Sequence, residues 1–164
     1  MTSDETIPHD AASTPRRVAE VLSAASDFGA IWVVVALLQV LSRRATPRQA
    51  ATRLGAAGIV SLVLTRWLKH RYAVPRAPAA PTSVARTPTS DRFPSGHTLA
   101  AFTAALTVPR RPFGRVLALA VATLVGWARV RVGHHRVVDV VAGASVGTVA
   151  GSALAAMLSV PLAP

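Results

Sequence analysis

A chain of 164 residues that is 51% hydrophobic, with mean hydropathy +0.42 and no cysteine, reads as one domain without a disulfide framework or thiolate metal site. Its net charge of +11 would suit nucleic acid, but the arginines stand in short clusters between apolar runs, as loops at lipid headgroups do, so nucleic acid is excluded as a partner. After Asp27 only Asp91 and Asp139 are acidic, too little for the surface of a soluble domain this size, and the bilayer is the expected solvent.

Residues 1–14 are polar and acidic and lack the basic start of a signal peptide. Residues 14–25 read either as an interfacial amphipathic helix, with Val18, Val21 and Leu22 on its apolar face, or as a solvated extension of the first span. Residues 1–26 are therefore separated from a membrane domain over 27–164. Within that domain five apolar runs, 27–41, 50–68, 97–108, 115–127 and 137–162, alternate with Arg-rich or Pro-rich loops. The expected fold is all-α, an integral membrane helical bundle of about five transmembrane helices. Residues 95–108 give only about 21 Å of helix at ~1.5 Å per residue, so this helix is expected to start below the headgroups, in a cavity lined by protein.

With five spans, the loops 69–94 and 128–136 share one face, with Trp32, Trp67 and Trp127 near it as an aromatic belt. The opposite loops, 42–49 and 109–115, are short, basic and free of acid. The positive-inside rule places them in the cytoplasm of a multi-pass plasma-membrane protein and puts the other face outside. That outer face holds more arginine in total, a count discounted here for residues that would bind phosphate. The long Pro-rich loop 69–94 suits a lid or a headgroup-reading segment.

One of the eighteen basic residues is a lysine, Lys69, and the rest are arginine. A position that keeps Lys against that background asks for a compact ammonium instead of a planar fork. Seven residues on is Arg76. Pro94-Ser95-Gly96-His97 opens the third run, with Ser95 as cap and Gly96 allowing close backbone approach; free N–H groups and the helix dipole there favour a phosphate. Taken alone, the tetrapeptide reads first as an ordinary helix cap with an incidental His. Arg129, His135 and Asp139 follow as R-x5-H-x3-D. His135 and Asp139, four apart, share a helix face, so the carboxylate can fix one imidazole nitrogen and leave the other free to attack. The plain alternative for Asp139 is a helix-start residue at the interface. Gly143, Gly147 and Gly151 continue that face as a small-residue packing stripe. His134 points about 100° away and is set aside as a bystander. The histidines lack metal-ligand spacing, so no metal or cofactor is expected.

The ordered set K-x6-R, PSGH and R-x5-H-x3-D, covering Lys69 to Asp139, resembles the type 2 phosphatidic acid phosphatase (PAP2) superfamily. The resemblance implies that His135 is a nucleophile forming a phosphohistidine, that Asp139 orients it and that His97 protonates the leaving oxygen. Lys69, Arg76, Ser95, Gly96 and Arg129 would hold the phosphoryl group without metal. The chain departs from the family pattern at Ala77, where Pro is usual, and at Ala128, where Ser is usual. Size, spans and composition are similar to small actinobacterial members, which implies a polyprenyl-linked substrate such as decaprenylphosphoryl-5-phosphoribose in cell-wall arabinan precursor synthesis. Other polyprenyl diphosphates or glycerophospholipids are alternatives, as is a non-catalytic phospholipid-binding membrane subunit. A phosphorylated lipid and the bilayer are the expected partners, with homo-oligomerisation left open.

Overall fold

The computed structural model describes residues 14–26, 30–75, 91–109 and 111–159; of the polar tail expected over 1–14, all but Thr14 lies outside them. Among the described residues the elements are all helical: α1 (Thr14–Ser26), α2 (Ala30–Leu41), α3 (Pro47–Tyr72), α4 (Gly96–Thr107), α5 (Pro112–Arg131) and α6 (Val137–Met157). Each of the five apolar runs contains one helix, α2 to α6, among its described residues.

Local signals set the ends. Pro47 starts α3 where its missing N–H is harmless. Thr46 and Gln49 close a reciprocal capping box, with Gln49 N donating to Thr46 Oγ1 at 3.2 Å and Thr46 N to Gln49 Oε1 at 3.3 Å. Lys69, His70 and Arg71 occupy the last turn of α3, at the negative end of its dipole. The helix stops at Ala73, whose left-handed φ of 37° lets its N–H return to the Lys69 carbonyl at 2.8 Å.

The bundle is apolar outside and small inside. Leu37, Leu62, Val63, Val116, Leu117, Leu124, Val141 and Val149 are exposed, whereas the buried set is mostly alanine, threonine and glycine positions. That inversion is what lipid solvation selects, because tails solvate large side chains and close helix packing needs small ones. Helices α5 and α6 are each long and apolar enough to cross a bilayer, and α1 with α2 adds a third candidate as a bent pair. At 26 residues, about 39 Å by helical rise, α3 also has the length; its cations cluster toward its ends, leaving residues 54–65 without charge.

The shortest spans behave differently. With 12 residues, α4 is enclosed, with Thr98, Leu99, Ala101, Thr103, Ala104, Ala105 and Thr107 buried against α3, α5 and α6. Its hydroxyls stay satisfied there: Thr103 Oγ1 donates to Leu99 O at 2.9 Å and Thr107 Oγ1 to Thr103 O at 2.8 Å. The glycine stripe of α6 lies on the α4 backbone. A Cβ on Gly143 would meet Ser95 O at 2.5 Å, one on Gly151 would meet Thr103 O at 2.7 Å, and one on Gly147 would strike Leu99 O. At the far end of these two helices, Arg53 is buried and donates to Thr107 O (2.8 Å) and Leu158 O (3.2 Å), capping both C-termini.

One expectation needs correction. Trp67 and Trp127 are outward as a belt requires, but Trp32 is buried in the core and packs instead of anchoring. In α1 the large apolar residues lie outward, as on an interfacial helix. Val18 and Val21 face outward, and the small residues Ala19 and Ser23 are the ones buried, with α1 packed on α5.

Candidate active site

The motif residues gather at one end of the bundle because of where each helix begins or stops. Lys69 lies in the last turn of α3, Ser95 takes the N-cap position of α4 without a side-chain capping bond, Arg129 is in the last turn of α5, and Asp139 is in the first turn of α6. Arg76 lies outside the described residues.

The spacing between Arg129 and His135 has a local explanation. After α5, Gly133 takes φ +80°, a conformation that favours glycine, and the chain doubles back. The amides of His134 and His135 both donate to the Arg129 carbonyl, at 3.0 and 3.2 Å. Five intervening residues thus close a turn that delivers a buried His135 beneath a buried Arg129. His134 is buried beside it.

Asp139 is 1% exposed. Its Oδ2 accepts from Arg136 N at 2.8 Å, capping α6, and stands 3.7 Å from His135 Nδ1. A hydrogen bond of ~2.9 Å would need about 0.8 Å of closure. Arg92 Nε stands 3.0 Å from the same oxygen, off the direction of its N–H, so this contact is Coulombic more than a hydrogen bond. Ser95 N donates to the Asp139 carbonyl at 2.9 Å, joining the tetrapeptide to the His–Asp turn.

A second group is built on Arg129. Its Nη1 donates to Ser23 Oγ at 2.5 Å, and its Nη2 lies 2.7 Å from His97 Nδ1 and 3.2 Å from Nε2. A guanidinium only donates, so the nearer nitrogen, Nδ1, accepts, and a neutral His97 then carries its proton on Nε2. Ser95 Oγ and Thr98 Oγ1 share a buried hydrogen bond of 2.9 Å. The Lys69 ammonium donates to the Asp91 carbonyl, folding the approach to the tetrapeptide onto the end of α3. Gly96 has a packing reason beside the one expected, since a Cβ there would sit 2.8 Å from Thr65 Cγ2 on α3.

The described motif residues therefore meet at one end, joined by two that the sequence reading missed, Ser23 and Arg92. Ser23 lies at i+4 from the small Ala19, a weak signal of a packed face. Arg92 directly precedes the Phe93-Pro94 pair that opens the motif. Chemically, the end offers an imidazole with a carboxylate behind it, a second imidazole able to give a proton, and several cations, with a cavity of about 520 Å³ reaching Asp139 and Arg92 between α3 and α6.

Three comparisons bear on this arrangement. The PAP2 superfamily pattern matches residues 50–160. No curated protein matches the chain. Among solved structures, the fold is similar to a transmembrane PAP2 type phosphatidylglycerolphosphate phosphatase from Bacillus subtilis, with 23% identity and TM-score 0.68 over 90% of this chain and 78% of that one. It is also similar to Aquifex aeolicus LpxE, with 21% identity and TM-score 0.62 over 86% of this chain and 85% of that one. The family pattern runs over most of the chain and spans every motif residue, and so the chain belongs to the PAP2 superfamily and is a phosphoric monoester hydrolase on a membrane-helix fold.

Proposed function

We propose that the chain removes a terminal phosphate from a membrane lipid through a phosphohistidine on His135. His135 Nε2 attacks phosphorus, the ester P–O bond breaks, and His97, acting as an imidazolium once Arg129 has turned to the phosphoryl group, gives its Nε2 proton to the leaving alkoxide and is left neutral. Asp139 holds the Nδ1 side of His135 and stabilises the imidazolium that forms. Water then attacks the phosphohistidine, with His97 taking its proton, and inorganic phosphate leaves. Lys69, Arg76, Arg129, Ser95 and the amides around Gly96 hold the phosphoryl oxygens. Such positioning and charge stabilisation supply most of the rate in phosphoryl transfer.

The observation that carries this reading is the Ser95–Asp139 backbone bond. It brings the start of α4, with His97 in its first turn, against the turn that bears His135.

The proposed substrate is polyprenyl-linked, decaprenylphosphoryl-5-phosphoribose in particular, handled on the extracytoplasmic face of the plasma membrane. The apolar exterior and the cavity of about 520 Å³ beside Asp139, walled by Leu68, Tyr72, Val138, Ala142 and Val146, support a substrate with a long apolar chain. Purified protein in detergent would be given decaprenylphosphoryl-5-phosphoribose, a polyprenyl diphosphate, phosphatidate and phosphatidylglycerol phosphate. Phosphate release fastest from the first supports the assignment. Preference for a glycerophospholipid replaces the substrate but keeps the mechanism, and release from none of them favours a non-catalytic lipid-binding role.

A further inference from the structure

Asp139 Oδ2 is the meeting point of three groups, and one comes from outside the His–Asp turn. Arg136 N (2.8 Å) and His135 Nδ1 (3.7 Å) belong to that turn, whereas Arg92, whose Nε is 3.0 Å away, arrives from the segment before α4. Its position is fixed on both sides. Arg92 N donates to Val74 O at 2.8 Å, and the next residue, Phe93, packs edge-on against Tyr72 with ring centroids 5.5 Å apart at 85°. The Arg92 side chain is 16% exposed and lines the cavity beside Leu68, Tyr72, Val138 and Ala142, so the pair sits in mostly apolar surroundings.

Arg92 places a cation against this deeply buried carboxylate. The same cation competes for the oxygen that must face His135. We propose that Arg92 is a positioning residue for the His135–Asp139 pair, setting how closely the Asp139 carboxylate approaches the imidazole. The inference rests on His135 as the nucleophile. It assigns to Arg92 a role that the K-x6-R, PSGH and R-x5-H-x3-D pattern does not contain. A group acting this way affects turnover through Asp139, whereas a direct phosphate ligand would act on substrate binding whatever stands at position 139.

A double-mutant cycle on the full chain tests it, with Arg92→Gln and Asp139→Asn singly and together. Each protein is read as kcat and KM on dioctanoyl phosphatidate and as affinity for orthovanadate, so the cycle closes even where turnover is slow. Arg92→Gln should lower kcat about tenfold, a coupling in the range found for contacting residues, and leave KM within about twofold. In the Asp139→Asn background it should change kcat or vanadate affinity less than about twofold. Arg92→Lys, which keeps the charge, should recover part of the loss, and it takes the place of Arg92→Gln if that variant does not elute as a folded species. Equal factors in both backgrounds, or a raised KM with unchanged kcat, would overturn the role. Failure of the underlying mechanism shows separately, as undiminished turnover in His135→Ala.

Discussion

The Ser95 amide donates to the Asp139 carbonyl at 2.9 Å, across 44 residues of sequence. The bond makes the start of α4 and the start of α6 one unit, and the glycine stripe below it keeps the two helices in contact along their length. Site geometry is thus a consequence of helix packing deeper in the bilayer.

Gly147 tests that dependence from a distance. A side chain there strikes Leu99 O and comes within 3.0 Å of Phe102 Cβ, so α4 and α6 must separate. Gly147→Val should destabilise the protein by about 1–3 kcal/mol, or more where backbone must move, and lower activity without touching the site. A Cβ added at Gly58, on exposed α3, would have nothing within 4 Å, so Gly58→Ala should be neutral or stabilise by up to ~1 kcal/mol. Thermal unfolding of both variants in detergent, beside their turnover, checks the contrast.

Ser23 accepts from Arg129 at 2.5 Å within a buried contact between α1 and α5. Removing the hydroxyl leaves a charged donor without that acceptor, a change of about 1–3 kcal/mol. Ser23→Ala should therefore lower kcat/KM by about tenfold, and Ser23→Thr, which retains a hydroxyl, should lose less. Steady-state kinetics on the preferred lipid phosphate reads the difference. Unchanged kinetics in Ser23→Ala would leave α1 as packing alone.

Lys69 donates to the Asp91 carbonyl while standing at the end of α3 nearest the motif residues. Arginine preserves its charge but aims a wider planar head along another direction. If Lys69 holds a phosphoryl oxygen, a misplacement of about 1 Å can cost about a hundredfold, so Lys69→Arg should be strongly impaired. Arg66→Lys, on an exposed position of the same helix, is the matched control. Arg53 is unsuitable for that purpose because it is buried and caps two helices. Equal activity in Lys69→Arg and Arg66→Lys would reduce Lys69 to a snorkelling side chain.

The proposed chemistry draws its positive charge from Lys69, Arg76 and Arg129. Activity should persist in excess chelator, measured as phosphate release after removal of divalent ions. Loss of activity, restored by a divalent cation, would show that side-chain cations are not sufficient.

Patterns within one segment are legible in the sequence, and contacts between segments are not. Hydropathy delimits the five apolar runs, i,i+4 spacing pairs His135 with Asp139, and the same spacing exposes the Gly143–Gly147–Gly151 stripe. Ser23 meets Arg129 from 106 residues away, and Arg92 meets Asp139 across two helices, so no local period encodes either contact. In α1 the outward Val18 and Val21 fit the apolar face of an interfacial helix, whereas the packing of Ala19 and Ser23 on α5 is a contact between segments that the local pattern does not show. Gly96 shows the same limit, since Thr65 on α3 supplies a reason for glycine that the motif alone does not reveal.

The most direct test of the central claim is to trap the covalent intermediate with a 32P-labelled lipid phosphate and quench within the turnover time. The account predicts a label on the protein that is acid-labile and stable in base, as a phosphohistidine is. That label should be absent from His135→Ala. It should accumulate in a variant slowed at the water step, or form more slowly in Asp139→Asn. An acid-stable label, or labelling and turnover that survive His135→Ala, would contradict it.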